Sequence, residues 1–226
     1  GAAAGVLEPD EHGSVDVVDQ VNGAGCDMEQ NGDIIDMSRP VTVLERDTVY
    51  QGAVFSVEDM RLALHARDGG DIVVRRQVMR HAPCVVMLVH DTANDRYLME
   101  REYRAGSDLF AYGLPAGLMD AGEDVMDAAL RELREETGVV PDGADAVYVD
   151  HAGAFYSSEG MSDELAHIMV LHLDRWHTVP RHLDADEHVW SAWVTWDELI
   201  RAGVTSSNSM IAIQHEAIRR LSRATA

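Results

Sequence analysis

Residues 117–139 read Gly-Leu-Met-Asp-Ala-Gly-Glu-Asp-Val-Met-Asp-Ala-Ala-Leu-Arg-Glu-Leu-Arg-Glu-Glu-Thr-Gly-Val, and this stretch determines how the rest of the chain is organised. It combines a glycine-bearing loop, a helix dense in carboxylates and a glycine that ends the helix. The helix is predicted to begin at Asp124 and Val125. Gly138 is predicted to lie just beyond the helix in the left-handed conformation.

A helical wheel at about 100° per residue places the apolar residues on one stripe and Glu132 and Glu136, one turn apart, along its edge. Two carboxylates beside a buried stripe can face a cleft, where their hard oxygen atoms would bind Mg²⁺ or Mn²⁺. Glu135 follows Arg131 by one helical turn, so this pair is predicted to form on the helix surface. The helix alone also allows a different interpretation, an ordinary amphipathic helix with solvated charges. The stripe consists of Val125, Met126, Ala129, Leu130 and Leu133.

Composition limits the class of protein and its partners. The chain has 226 residues and 46% hydrophobic content, enough for one sizeable domain and an additional small element. A net charge of −22 argues against a nucleic-acid duplex or an anionic membrane surface as the partner. All 18 basic residues are Arg. This excludes mechanisms that need a Schiff-base or P-loop lysine.

The cysteines and histidines carry no recognisable metal or disulfide pattern. Cys26 and Cys84 make no disulfide framework, and Cys84 is interpreted as a small buried hydrophobe. A reducing cytoplasm is the expected setting, and no apolar run approaches the roughly 18 residues of a membrane span. The 11 histidines show no metal-binding spacing. Residues predicted to be structural or solvated are His81, His151 and His167, and the acidic cluster Asp184, Asp186 and Glu187.

The chain is predicted to have three regions. Residues 1–38 are acidic and are expected to form a disordered arm. Residues 39–82 are predicted to form an antiparallel meander, with a turn at Asp68-Gly69-Gly70-Asp71. Residues 83–226 form the main domain, in which the continuous apolar run Cys84–His90 is a buried central strand. Further strands are predicted at Arg96–Arg104, Ala146–Asp150, Leu165–Leu173 and Val189–Val194, and helices at Trp196–Ala202 and Ser209–Ser222, the latter capped by Ser207, Asn208 or Ser209.

The complete spacing of the organising stretch is more specific than its helix. Gly117, five residues, Glu123, seven residues and then the run Arg131-Glu132-Leu133-x-Glu135-Glu136-x-Gly138-Val139 resembles the Nudix box at every defining position. From Val41 to Leu221 the order of elements is similar to the ADP-ribose pyrophosphatase branch of Nudix hydrolases. Four local matches carry this resemblance: Arg75-Arg76-Gln77, Glu102-Tyr103-Arg104, Leu114-Pro115-Ala116-Gly117 and Gly160-Met161-Ser162-Asp163-Glu164.

The resemblance implies a fold, a reaction and a partner. The expected fold is an α/β (α+β) Nudix fold, a mixed β-sheet sandwiched between helices, with an N-terminal antiparallel β-meander. The expected reaction is hydrolysis of the pyrophosphate bond of ADP-ribose, with Mg²⁺ or Mn²⁺ as cofactor, to AMP and ribose 5-phosphate. The expected partner is a second copy of the chain, through exchanged N-terminal strands, with no nucleic acid and no membrane.

The resemblance also carries roles onto individual residues. It makes Ala116, Glu132 and Glu136 metal ligands, and Glu135 a ligand or the partner of Arg131. Glu164 becomes the candidate base that activates the attacking water. The catalytic set is therefore Glu164, Glu135 and Arg131, and the substrate-binding set is Arg76, Gln77, Arg104, Gly117, Gly160 and Tyr156.

Several departures from the family pattern leave alternatives open. Glu159 stands where the branch has a proline that marks ADP-ribose preference, so another nucleotide sugar or a dinucleotide is the alternative substrate. Asp163 and Glu159 are alternative bases. Gly113 and Gln77 each replace a glutamate of the pattern. A sensor that binds ADP-ribose without cleaving it is the alternative from another class, and it predicts eroded box carboxylates, which this chain does not have.

Overall fold

The computed structural model describes residues 34–183 and 188–224. These fall into two compact units, one containing the chain up to His81 together with Ser158–Glu164, the other containing Ala82–Ser157 and the chain from Leu165. The division into an arm, a meander and a main domain stays a prediction. Residues 1–33 of the predicted arm, Cys26, and the predicted loop residues Asp184, Asp186 and Glu187 lie outside the described residues.

The first unit is a three-stranded antiparallel sheet in the order β1-β2-β3, which confirms the predicted meander. The turn before β3 needs glycine, because Gly69 has a φ of 91°. Ile35 pairs with Ala66 as an isolated bridge. Residues 158–164 join the end of this sheet, where the Met79 N–H donates to the Met161 carbonyl at 2.8 Å. The strands are β1 (Thr42–Gln51), β2 (Phe55–His65) and β3 (Asp71–His81).

The second unit is built on a mixed sheet in the order β12-β5-β4-β10-β9, with β6 paired to β5 and β7 to β4. Strands β4 and β10 are parallel, and the other pairs are antiparallel. All eight residues of β4 are buried, as predicted for the central strand. The strands are β4 (Cys84–Asp91), β5 (Arg96–Arg104), β6 (Leu109–Gly113), β7 (Ala116–Leu118), β8 (Val139–Pro141), β9 (Val147–Tyr156), β10 (Leu165–Leu173), β11 (Trp176–Thr178) and β12 (Trp190–Val194), with β8 and β11 forming a separate pair.

Helices cover both faces of this sheet, because successive strand residues point to opposite faces. On one face Val85, Met87 and Val89 of β4 pack with Ala129 and Leu133. On the other face, alternate residues of β4 pack with the C-terminal helix. The predicted sandwich is thus confirmed. The helices are α1 (Val125–Glu132), α2 (Trp196–Arg201) and α3 (Ser207–Ala224), with a π-helical turn at Leu133–Thr137 and a 3₁₀ turn at Ala144–Ala146.

The ends of α1 lie where the sequence predicts them, whereas the start of α3 differs from the prediction. The Asp124 side chain accepts from two backbone N–H groups, and Gly138 has a φ of 73°, as predicted. The prediction that Ser207, Asn208 or Ser209 caps the last helix is wrong. Ser206 takes that place, because its Oγ accepts from the Ser209 N–H at 3.3 Å. Within the described chain, none of the helices is both long and apolar enough to cross a membrane.

Candidate metal site

One guanidinium joins the loop before α1 to the helix. Arg131 donates from Nε and Nη2 to the two carboxylate oxygens of Glu123, each at 2.8 Å, and from Nη2 to the Leu118 carbonyl at 3.0 Å. Its Nη1 lies 2.7 Å from Glu132 Oε1 and 3.4 Å from Glu135 Oε2, so the predicted pairing with Glu135 is present. Hydrogen bonding to Arg131 lowers the pKa of Glu123 to about 2. The motif spacing contains Glu123, but the sequence analysis assigns no role to it.

The carboxylate of Glu132 lies against the backbone of strand β7. A Cβ atom added at Gly117 would lie only 2.0 Å from Glu132 Cδ and 2.2 Å from Oε1. A side chain at position 117 and this position of the carboxylate therefore exclude each other. The glycine expected from the motif thus has a steric role, because it provides the space in which Glu132 lies.

Glu136 is the buried member of the pair. It is 8% exposed, and its Oε2 accepts a hydrogen bond from the Ala116 N–H at 3.1 Å. Burial raises the pKa of Glu136 well above its ordinary value, and the negative charge of Glu100 raises it further. Among the described residues Glu136 takes part in no ion pair. A buried carboxylate without a counter-charge is costly, and a cation would remove that cost.

The residues fit a hard divalent cation. Glu132 and Glu136 present carboxylates to consecutive residues of one strand, Gly117 and Ala116, and oxygen is the ligand that Mg²⁺ and Mn²⁺ prefer. The alternative of an amphipathic helix with solvated charges does not describe Glu136, because this carboxylate is buried. Glu136 also lies in the π-helical turn Leu133–Thr137, and such turns within α-helices are frequent at functional sites.

The loop that ends the first unit holds the predicted base. Asp163 accepts from Arg80 Nη1 at 3.0 Å and from the His81 backbone N–H at 2.9 Å, so its carboxylate is engaged. Glu164 lies beside the imidazole of His81, whose Nδ1 is 3.4 Å from Oε1. A Cβ at Gly160 would meet nothing within 4 Å. Of the two adjacent acids, Glu164 is therefore the one whose carboxylate is less constrained.

The other predicted substrate-binding residues occupy strand ends and the first sheet. Gln77 on β3 donates to Asp59 Oδ2 at 3.1 Å, and Arg76 donates to the Arg75 carbonyl at 2.9 Å. In the second unit, Arg104 ends β5 and pairs with Glu102. Tyr156 is the last residue of β9, and its side chain is exposed.

A second group with metal-binding side chains lies under α3. His90, His172 and Glu216 are buried, and their ligand atoms lie within 4.8 Å of one another. However, Glu216 already accepts from the Tyr97 hydroxyl and twice from Arg219, each at 2.5 Å, so a guanidinium fills the cation position. We interpret the group as a structural network. Sequence spacing missed it because 82 residues separate the two histidines.

Comparison with known proteins is consistent with this geometry. The protein-family model of the NUDIX domain matches residues 80–212 of the sequence. An ADP-ribose pyrophosphatase of Bacillus subtilis is 28% identical over 165 residues, covering 70% of this chain and 83% of the relative. The methanol dehydrogenase activator of Bacillus methanolicus is 30% identical over 145 residues, covering 62% of this chain and 75% of the relative.

A solved structure described as an ADP compounds hydrolase shares the fold. Its TM-score is 0.63 at 21% identity, and the match covers 83% of this chain and 97% of that one. The domain match extends over more than half of the chain and includes the whole Gly117–Val139 pattern. The chain therefore belongs to the Nudix family and is a Nudix hydrolase.

Proposed function

We propose that the protein is a divalent-metal-dependent pyrophosphohydrolase that cleaves ADP-ribose, or a closely similar nucleoside diphosphate sugar, to AMP and a sugar phosphate. The observation that carries the proposal is the buried carboxylate of Glu136 beside Ala116, with Glu132 seated on Gly117. The names of the relatives support the substrate class, since ADP-ribose pyrophosphatases of Bacillus subtilis and Escherichia coli are among them.

The metal-binding role falls to Glu132, Glu136, the carbonyl of Ala116 and Glu135. Bound Mg²⁺ or Mn²⁺ would neutralise the pyrophosphate oxygens, which otherwise repel a nucleophile, and would lower the pKa of a coordinated water. The chain itself fixes the ligands. Arg131 holds Glu132 from one side, and Gly117 leaves room for it on the other.

Glu164 is proposed to accept the proton of the attacking water, a contribution of roughly 10²–10⁴-fold for a positioned base. Support comes from its surroundings in the described part of the chain, because Asp163 is held by Arg80 and the backbone of His81, whereas the carboxylate of Glu164 lies beside the His81 imidazole at 3.4 Å. Glu159, which is exposed, is the remaining alternative.

The residues proposed to bind substrate are Arg104, Tyr156, Arg76, Gln77 and Gly160. Arginines suit phosphate oxygens, and an exposed tyrosine ring can stack on a base. Glu159 in place of the branch's proline favours a second candidate substrate, another nucleotide sugar or a dinucleotide, with the same chemistry.

A cytoplasmic homodimer through the N-terminal strands is the proposed assembly. All ten residues of β1 are exposed, although the strand contains Val43, Leu44, Val49 and Tyr50. Apolar side chains on an uncovered edge strand mark an interaction surface. Light scattering is expected to give a dimer for the intact chain and a monomer for Val49→Asp. A monomeric wild-type protein would contradict the proposed assembly.

The function is tested with a panel of diphosphate compounds. Purified protein is incubated with ADP-ribose, other nucleotide sugars and dinucleotides, and products are separated by chromatography. We expect AMP and ribose 5-phosphate from ADP-ribose with Mg²⁺ or Mn²⁺, no turnover after EDTA, and recovery when the cation is returned. Faster cleavage of a dinucleotide would favour the second candidate. Binding of ADP-ribose without any product would instead identify a sensor and overturn the proposal.

A further inference from the structure

Residues 158–164 pair with the edge strand of the first sheet. Strand β3 pairs with β2 on one side, and on its other side Met79 and Ser162 form a parallel bridge. Two backbone hydrogen bonds make this bridge: the Met79 N–H donates to the Met161 carbonyl at 2.8 Å, and the Asp163 N–H donates to the Met79 carbonyl at 3.2 Å. Ser162 is buried. The backbone of the 158–164 segment is therefore held in register with β3.

Asp163 adds a side-chain clamp to this backbone pairing. Its Oδ1 accepts from the His81 N–H at 2.9 Å, and its Oδ2 accepts from Arg80 Nη1 at 3.0 Å. The guanidinium of Arg80 is itself held on the sheet, because its Nε donates to Glu58 Oε2 at 2.8 Å. Glu58 lies on β2. The clamp therefore joins two strands of the sheet to the 158–164 segment.

The adjacent acids Asp163 and Glu164 contact side chains on opposite faces of β3. Arg80 and His81 are successive residues of this strand, and successive side chains point to opposite faces. Asp163 pairs with Arg80, whereas Glu164 Oε1 lies 3.4 Å from His81 Nδ1. A shift of one residue in the pairing would exchange the two faces. The register that Asp163 fixes thus decides which of the two acids lies beside the His81 imidazole.

We propose that Asp163 and Arg80 are positioning residues that fix the carboxylate of Glu164 for its role as the base. The inference rests on the proposed function, since Glu164 is the base proposed there. The side chains of Arg80 and Asp163 are 31% and 38% exposed, so their ion pair contributes little to overall stability. Its effect on the reaction is larger, because a displacement of about 1 Å can slow an enzyme roughly 10²-fold.

The test compares kcat and KM of wild type, Asp163→Asn and Asp145→Asn on the diphosphate compound that the wild type cleaves fastest. Asparagine has nearly the same shape, but its amide group sets a donor against a donor at either Arg80 or the His81 N–H. We expect Asp163→Asn to lower kcat roughly 10–100-fold and to change KM less than about threefold, because a base acts after the substrate is bound. Asp145→Asn removes a carboxylate that pairs with Arg175 at 2.8 Å, and it is expected to keep the wild-type kcat.

A second variant changes the other half of the clamp. Arg80→Lys keeps the positive charge, but one ammonium group does not reproduce the planar fork that contacts Glu58 and Asp163 together. Its kcat is expected to fall in the same way. The control is Arg61→Lys, because Arg61 pairs with Glu45 on the same sheet at 2.7 Å. Both clamp variants should melt within about 3 °C of wild type, since the ion pair is partly exposed.

A double-mutant cycle with Glu164→Gln separates positioning of the base from a structural effect. Adding Asp163→Asn to Glu164→Gln should lower kcat less than about threefold further, because the group being positioned is already absent. If the two losses multiply, or if Asp163→Asn alone has the kcat of wild type, the inference is overturned and the proposed function stands. A wild-type protein that cleaves no diphosphate compound would overturn the proposed function, and the inference with it.

Discussion

Replacing Glu136 by Gln is expected to lower kcat on ADP-ribose at least roughly 10³-fold while the protein remains folded. Glutamine has nearly the same shape, and its side-chain oxygen can still accept the hydrogen bond that Ala116 N–H donates to Glu136. What the variant loses is the negative charge. Metal ions contribute several kcal/mol of transition-state stabilisation, and each loss of about 1.4 kcal/mol slows a reaction tenfold.

The same variant is expected to change how Mn²⁺ affinity depends on pH. Because burial raises the pKa of Glu136 above its ordinary value of 4.5, the carboxyl holds a proton at neutral pH in the absence of a cation. The cation must displace that proton, so wild-type affinity should rise with pH by up to about tenfold per unit. Glu136→Gln has no proton to displace, and its affinity should be low and nearly independent of pH. Titrations between about pH 6 and 8 measure this.

The pH dependence of the stability of the metal-free protein provides an independent test. Because the carboxyl of Glu136 binds a proton more tightly in the folded protein, its raised pKa contributes its full stabilisation below the ordinary value of 4.5. This contribution is lost as the pH rises towards the folded-state pKa. The metal-free wild type should therefore lose stability across that window, and Glu136→Gln should lose less. Asp127→Asn, on the exposed side of α1, is the matched control and should turn over normally. Normal turnover by Glu136→Gln would show that the metal assignment is wrong.

The sequence predicts this site well where the chemistry is local. Asp124 and Gly138 define the limits of the helical segment through capping and left-handed geometry, which depend on neighbouring residues only. The pairing of Arg131 with Glu135 follows from their separation of one helical turn. For the same reason the continuous apolar run of β4 predicts a central strand without knowledge of its partners.

The other features of the fold and the site depend on contacts between residues that are far apart in the sequence, and the spacing of residues along the chain does not reveal these contacts. A 100° wheel treats Leu133–Thr137 as α-helix, whereas the structure has a wider π-helical turn there that carries Glu136. Alternation along β5 gives Glu100 and Glu102 the same face but cannot tell which one is buried. The parallel pairing of β4 with β10 joins residues about 80 positions apart, and the prediction of a mixed sheet came from the family resemblance alone.

Gly117→Ala is expected to lower kcat roughly 10²-fold or more with little loss of stability, since small displacements of a catalytic group can have effects of this size. The new Cβ would lie 2.0 Å from Glu132 Cδ, so one of them must move. The atom that moves is the far end of a flexible side chain, which can rotate away at low cost. Its carboxylate then leaves the site. The unfolding free energy should stay within about 1 kcal/mol of wild type, because alanine also restricts the unfolded chain.

The effect of Gly117→Ala acts through Glu132, and a double-mutant cycle tests this. Glu132→Ala alone should lower kcat by a similar or larger factor, and the double variant should be no slower than Glu132→Ala, because the displaced carboxylate is already absent. Gly106→Ala is the control, since a Cβ there meets nothing within 4 Å. Two results would contradict this: a loss of kcat in the double variant equal to the product of the two single losses, or Mn²⁺ affinity of Gly117→Ala equal to that of the wild type. Position 117 would then act on the substrate directly and not through the carboxylate of Glu132.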